Sequence, residues 1–430
     1  MHDFTMQITL ITILTLVAIS RQLTNKLNIP VVFSLLFGSY TINQFFPDLF
    51  PADLTANFDE ILIFSIPLMF LADAIHLKFK DINAAKYDIF DLAVIAVSLS
   101  IAAGASLYYF NIFPQLTIGA YVALFAINMA TDAVSVQSIM SQFKGIPHKT
   151  KVLIEGESLG NDATAVIAFF FVGLVWIEEG TLDVAQTAIT AGSVFFGSLF
   201  LGLVLGAIFY HLLKFMDDKR SEFFILLIEA YVVYLIAEHY HISGIFAMIT
   251  AIITTKAFID KQIEDQEKED KDKIKTNKKY LTKWLYLKAS SKERLEYIYE
   301  MSSEFGYIAS VIIFFVLAEI VQLDLLVKYW KEILIMFIIT TVIRALSMAK
   351  FAWLKSKVSG SKFNGEKWFL LTMSGIKGGL SIILVHALPD TFEHKEMFES
   401  ITIGVILLST FIYGISLMIY FNFFKGEKNV

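Results

Sequence analysis

A chain of 430 residues that is 56% hydrophobic and only 18% charged, with a mean hydropathy of +0.63, is too apolar for a soluble protein of its size. A soluble domain would carry about a quarter charged residues. The chain has no cysteine, which removes disulfide and thiol chemistry and leaves oxygen or imidazole donors for any metal. The net charge of −6 decides little, because in a membrane chain the placement of charges outweighs their sum.

The composition predicts an all-α polytopic membrane protein. Apolar windows long enough to cross about 30 Å of hydrocarbon lie near residues 7–23, 29–46, 59–77, 88–110, 115–142, 151–177 and 184–213. They continue at 222–239, 241–259, 303–323, 327–350, 367–388 and 398–424, so about thirteen crossings are expected. The opening MHDFTM lacks a basic segment and a small-residue cleavage site, which reads as a retained first helix. The eighth and ninth windows are divided only by His239, Tyr240 and His241.

Lysine and arginine concentrate in alternate loops: Arg21 and Lys26, then Lys78 to Lys86, Lys144 to Lys151, and Lys214 to Arg220. The mixed-charge stretch 260–298, Lys350 to Lys367, Lys425 and Lys428 continue the set, while the opposite loops carry only Lys328, Lys331 and Lys395. The bias predicts an outside N-terminus and a cytoplasmic C-terminus. Residues 260–298 read as a cytoplasmic charged linker with some helix, and Trp284 to Leu287 could rest at the headgroups. No phosphate-binding loop or nucleic-acid motif occurs, so no cofactor and no nucleic-acid partner is expected beside membrane lipid.

The sixth window, KVLIEGESLGNDATAVIAFFFV, breaks the apolar rule. On a helix Glu157 and Asn161 are neighbours four apart, as are Ser158 and Asp162, which gives one polar stripe. A carboxylate at the bilayer centre costs about 2.5–3.5 kcal/mol on insertion scales, and no basic residue shares the helix core. At 1.5 Å per residue, Asp162 lies about 16 Å below Lys151 and Glu157 about 9 Å below it. The deeper acid suits an ion reachable from both sides; the shallower one suits a structural ion pair. Arg344, mid-way in the eleventh window, is the natural partner of Glu157, unless it snorkels toward Lys350.

Asn128, Thr131 and Asp132 sit at the centre of the fifth window, where freed backbone carbonyls coordinate small cations in transporters. The alternative is a Thr–Asp pair satisfied by a neighbouring helix. In the twelfth window Gly375, Gly378 and Gly379 flank Lys377 and favour a helix break, whose exposed carbonyl ends a cation can compensate. Two interrupted windows, entering from opposite sides, form an inverted-repeat pattern with discontinuous crossing helices beside a midplane site. His148, His239 and His241 read as solvated loop histidines, and Pro67 as a kink.

GESLGNDA at 156–163, ATDAV at 130–134, Arg344 and GIKGGLS at 375–381 resemble the NhaP-like sodium/proton antiporters of the cation–proton antiporter superfamily. The resemblance covers nearly the whole chain. It implies a homodimer with dimerisation helices and a mobile core, here containing 115–178 and 327–424, and exchange of Na⁺ or Li⁺ for H⁺ by alternating access. By position, Asp162 resembles the ion- and proton-binding aspartate, and Thr131, Asp132 and Ser158 its coordinating neighbours for Na⁺. Glu157 and Arg344 resemble the structural ion pair. Asn161 stands where electrogenic relatives carry a second aspartate, which implies one-for-one, electroneutral exchange in the cell membrane. Ala133 replaces the family's usual proline and Lys377 its usual arginine, and either departure could accompany altered selectivity, K⁺ included. The rival functions are a cation channel using the same acids, an intramembrane protease using Asp132 and Asp162, and a non-transporting sensor; the expected reading is a transporter and not an enzyme.

Overall fold

The computed structural model describes residues 5–27, 31–46, 58–132, 136, 140, 146–181, 183–276, 291–320, 323–359 and 364–421. Among them every regular element is helical. In chain order these are α1 (Thr5–Leu27), α2 (Val31–Phe45), α3 (Phe58–His76), α4 (Phe79–Phe90), α5 (Val97–Ser106) and α6 (Ile118–Met129). Then follow α7 (His148–Ala168), α8 (Leu174–Glu179), α9 (Val184–Leu213), α10 (Lys219–His239), α11 (Gly244–Thr276) and α12 (Lys292–Ile320). The last are α13 (Leu323–Lys328), α14 (Trp330–Ser359), α15 (Gly365–Met373), α16 (Gly379–His386) and α17 (Lys395–Tyr420).

Six stretches are long and apolar enough to span a membrane by length and composition: 80–110, 148–179, 184–213, 292–316, 330–357 and 395–420. Shorter apolar helices cover 7–23, 63–76 and 118–129. The count of thirteen is therefore not reproduced by this measure among the described residues. The shortfall has a physical cause in two windows, because the fifth and twelfth do not run through. The eighth and ninth windows are separate helices: the chain turns at Tyr240–Ser243, with His241 at a positive φ of 55°.

Two crossing stretches contain a wide π-type turn, at Asp91–Ala96 between α4 and α5 and at Phe169–Gly173 between α7 and α8. Such turns leave carbonyls without their usual helical partner, and Thr164 Oγ1 donates to one of them, Ala93 O, at 2.8 Å. Helix starts carry polar caps where the chain enters its apolar runs. Thr117 accepts from Ala120 N, Asn364 from Lys367 N, and Asp218 from Arg220 N and Ser221 N.

The chain divides into two compact units. The first comprises Met1–Leu62, Ala85–Ala191 and Ser310–Val430; the second comprises Ile63–Ala84 and Gly192–Ala309. The expected core ranges, 115–178 and 327–424, both fall in the first unit, which is larger than they are. The expected linker 260–298, read as containing some helix, is partly described. Residues 260–276 continue α11 and residues 292–298 begin α12, while 277–290, with Trp284 to Leu287, lie outside the described residues.

The Asp218 cap carries a pH signature. The Ser221 hydroxyl, at 2.6 Å, and the Ser221 and Arg220 amides hold its carboxyl below the usual carboxylate range. A carboxyl depressed on folding stabilises above its unfolded value of about 3.9 and loses that contribution as pH falls through the folded value. Thermal unfolding in detergent should therefore lose a small increment on acidification, and Asp218→Asn, which still caps but cannot titrate, should lack that increment.

Candidate functional site

The first unit brings the polar residues of four sequence windows to one place. α6 stops at Met129: Ala130 turns to φ −56°, ψ 143°, and Thr131 and Asp132 are not helical. Val136 and Met140 beyond are helical again, and Ala133 lies outside the described residues. In the twelfth window α15 ends at Met373, the chain is non-helical from Ser374 through Gly378, and α16 starts at Gly379. The two breaks touch. Asp132 N donates to Ile376 O at 2.7 Å, and Ser381 Oγ donates to Ile127 O, one of the last carbonyls of α6, at 2.8 Å. Gly378 has to be glycine here, because a Cβ would fall 2.5 Å from Asp132 Cβ.

α7 runs past the breaks as a continuous helix and presents its polar stripe. Asn161 uses both amide hydrogens, one on Thr131 Oγ1 at 2.9 Å and one on Glu157 Oε1 at 3.1 Å. Thr131 Oγ1 donates to Ser158 Oγ at 3.2 Å, and Ser158 Oγ donates back to Thr131 O at 2.9 Å. The Thr131 carbonyl and hydroxyl, released from helical duty by the break, are thereby fixed against α7. Asp162 sits one turn beyond Ser158 and next to Asn161. It is 5% exposed, so it faces the protein interior and not lipid.

Arg344, from α14, completes the cluster. Its guanidinium forms a fork with Glu157, Nη1 to Oε1 and Nη2 to Oε2, both at 3.0 Å. The same side chain donates to Leu371 O at 3.0 Å and Thr372 O at 3.2 Å, two of the orphan carbonyls at the end of α15. Lys377 was expected to compensate the carbonyl ends of this break; Arg344 takes these two carbonyls instead, because five fixed N–H donors can serve a carboxylate and two backbone oxygens together. Gly375 leaves the room for it, since a Cβ there would collide with the Arg344 side chain. Lys377 is buried in the non-helical segment, its backbone amide donating to Ser409 Oγ at 3.1 Å.

Sequence reasoning did not single out Ser381, Ser409 or Ile376. Ser381 stood inside GIKGGLS and followed the glycines by two residues, which was a usable signal; the backbone bond to Ile376 and the Ser409 contact had none. What the arrangement can do chemically follows from its parts. A buried carboxylate lies beside hydroxyl, amide and carbonyl oxygens that a broken helix makes available. The opposite half-helix carbonyl ends are neutralised by a fixed cation. This is the geometry of a secondary transporter's ion site, built where discontinuous helices meet.

The comparisons agree with that class. The sodium/hydrogen exchanger, transmembrane family model matches residues 11–423, and the chain belongs to that family. It is 26% identical over 358 residues to the Na⁺/H⁺ antiporter NhaH of Halobacillus aidingensis, covering 82% of this chain and 80% of that one. It is 24% identical over 371 residues to the Na⁺/H⁺ antiporter NhaP of Pseudomonas aeruginosa, covering 84% and 80%. In fold it matches the sodium proton antiporter MjNhaP1 of Methanocaldococcus jannaschii with a TM-score of 0.73 at 16% identity, covering 96% of this chain and 99% of that one.

Breaking a buried ion pair by removing one partner costs about 3–5 kcal/mol, because it strands the other charge. Glu157→Gln and Arg344→Gln are each expected to lower folded yield and melting temperature sharply. Glu157→Gln combined with Arg344→Gln should recover part of the loss from Glu157→Gln alone. Size-exclusion profiles and thermal unfolding of the three variants test this; an additive double variant would contradict it.

Proposed function

We propose that this protein is a secondary active antiporter that exchanges Na⁺, or Li⁺, for H⁺ across a membrane, with ion and proton competing for Asp162. The observation that carries the reading is a buried aspartate at the meeting of two broken helices, in a chain of the sodium/hydrogen exchanger family. A carboxylate can hold a proton or a partly dehydrated cation, but not both at once. If only the loaded site crosses between inward- and outward-facing states, the two fluxes are coupled without any covalent step. Asp132, Thr131 and Ser158 are proposed to supply further oxygens to the bound Na⁺, and Glu157 and Arg344 to hold the helices that carry them.

One-for-one exchange is favoured by the way Asn161 is used. Its two N–H groups are bound to Thr131 and Glu157, so the position carries hydrogen bonds and no charge. An aspartate there would lose both donors and set a second carboxylate against Glu157. We further propose a homodimer in the cell membrane, N-terminus outside and C-terminus cytoplasmic, working by an elevator-like motion of a core that contains 115–178 and 327–424. K⁺ in place of Na⁺ is the second reading, because Lys377 offers a single ammonium where the family's usual arginine offers a fork.

Asp162→Asn is expected to abolish cation-driven proton movement in proteoliposomes while the protein still folds, and antiport at normal levels would reject the assignment. Asp132→Asn should weaken the ion dependence without abolishing it. Competition for one carboxylate sets a further expectation: where the proton is the resting occupant, the half-saturating Na⁺ concentration should rise about tenfold for each unit fall in pH. Addition of Na⁺, Li⁺ and K⁺ with and without clamped voltage ranks the ions. It also separates an electroneutral antiporter from a channel, whose currents would be uncoupled from protons.

A further inference from the structure

The second unit contains an acid that the transport site does not use. Glu229 lies ten residues from either end of α10, at its middle, and is completely buried. At 1.5 Å per residue that is about 15 Å from each helix end. Thr255 Oγ1, from α11, lies 2.6 Å from Glu229 Oε1 and 2.9 Å from Gly206 O of α9. Gly206 permits this approach, because a Cβ there would fall 2.6 Å from Ala251 O and 2.9 Å from Thr254 Cβ.

The hydrogens in this triad can be counted. A hydroxyl has one proton to give, and the Gly206 carbonyl can only accept. With Thr255 donating to Gly206 O, its short contact with Glu229 needs a proton from the other side, and only a neutral carboxyl group has one. Were Glu229 ionised, two acceptors would compete for a single proton and one close oxygen pair would have none. The remaining oxygen agrees: Glu229 Oε2 is buried and has no hydrogen-bond partner. An unpaired carbonyl oxygen of a neutral acid is far less costly there than an unpaired carboxylate oxygen. Among the described residues no cation is paired with Glu229. Arg294 is bound to Glu222 at 2.6 Å, and Lys256 donates to Leu77 O at 2.8 Å and sits 3.2 Å from Asp260. Glu238 accepts from Gly244 N at 3.0 Å, His211 lies in the last turn of α9, and no ion pair among the described residues involves Glu229.

We infer that Glu229 is a second, permanently occupied proton-binding site: a neutral carboxylic acid that donates to Thr255, which donates to Gly206, tying α10, α11 and α9 together at mid-membrane depth. Its proton does not exchange during turnover. Two acids in one chain thus have opposite duties, one to trade its proton and one to keep it.

Infrared spectroscopy of the reconstituted protein tests this, because a protonated acid and a carboxylate absorb at different positions. The measurement is made in an Asp162→Asn background, so that its outcome does not depend on what Asp162 does. A protonated-acid carbonyl band is expected with and without Na⁺. It should disappear in Asp162→Asn/Glu229→Gln, and Thr255→Val should shift it to higher frequency as the hydrogen bond is lost. Loss of carboxylate stretches on Glu229→Gln, in place of the acid band, would overturn the inference. If the Gln variant does not assemble, the Thr255→Val spectrum alone decides, and an unshifted band overturns the relay. In the otherwise unaltered chain, Glu229→Gln should keep its melting temperature and exchange rate, because a Gln amide can donate to Thr255 as the acid does. A folded Glu229→Gln protein that no longer exchanges would also overturn it, since a proton that never leaves has no part in turnover.

Discussion

The Glu157–Arg344 fork is the interaction on which the rest of the first unit depends. A helix can be interrupted inside a membrane only if its freed backbone groups find partners. α15 ends in the interior, and Arg344 answers its Leu371 and Thr372 carbonyls with the same group that binds both oxygens of Glu157. One side chain thereby joins α14, α15 and α7. The pair adds little to stability in itself, because desolvation offsets the Coulomb gain. Its contribution is register: it sets which turn of α7 faces the breaks, and so where Ser158, Asn161 and Asp162 stand.

Beyond that pair a chain of neutral groups links α7 to the break after α6. Asn161 bridges the ion pair to Thr131, Thr131 meets Ser158, and Ser158 returns to the Thr131 carbonyl. The network fixes the oxygens that the fifth window releases without adding charge. This separates two of the acids of α7: Glu157 is committed to a guanidinium, whereas Asp162 is buried one turn further on, beyond Ser158 and Asn161.

The second unit meets the cost of a buried acid in another way. Glu222 is paired with Arg294, and Glu229 is held neutral by the triad with Thr255 and Gly206. Pairing and neutralisation are two ways a carboxyl group can persist in a low-dielectric interior, and this chain uses the first at Glu157 and Glu222 and the second at Glu229.

The sequence alone determined that the chain is helical and membrane-spanning and that windows five and twelve break, and it pointed to Glu157, Asp162, Asp132 and Arg344 as the charged groups that apolar spans have to accommodate. Those conclusions rest on local physics: apolar runs of a given length, glycines in mid-span, and charges where oil makes them expensive. Even the division at Tyr240 was legible, from three polar residues in an apolar run. Only the tertiary structure decided that Arg344 rather than Lys377 takes the α15 carbonyls at Leu371 and Thr372, that Ser381 caps α6, and that Glu229 keeps its proton. Each of these depends on partners far apart in the chain, and Glu229 shows why: in EAYVVYL it is one more acid, and its state is set by a threonine 26 residues on and a carbonyl 23 residues back. Local sequence prices a polar group, but the neighbour that answers it is chosen by the packing of other helices.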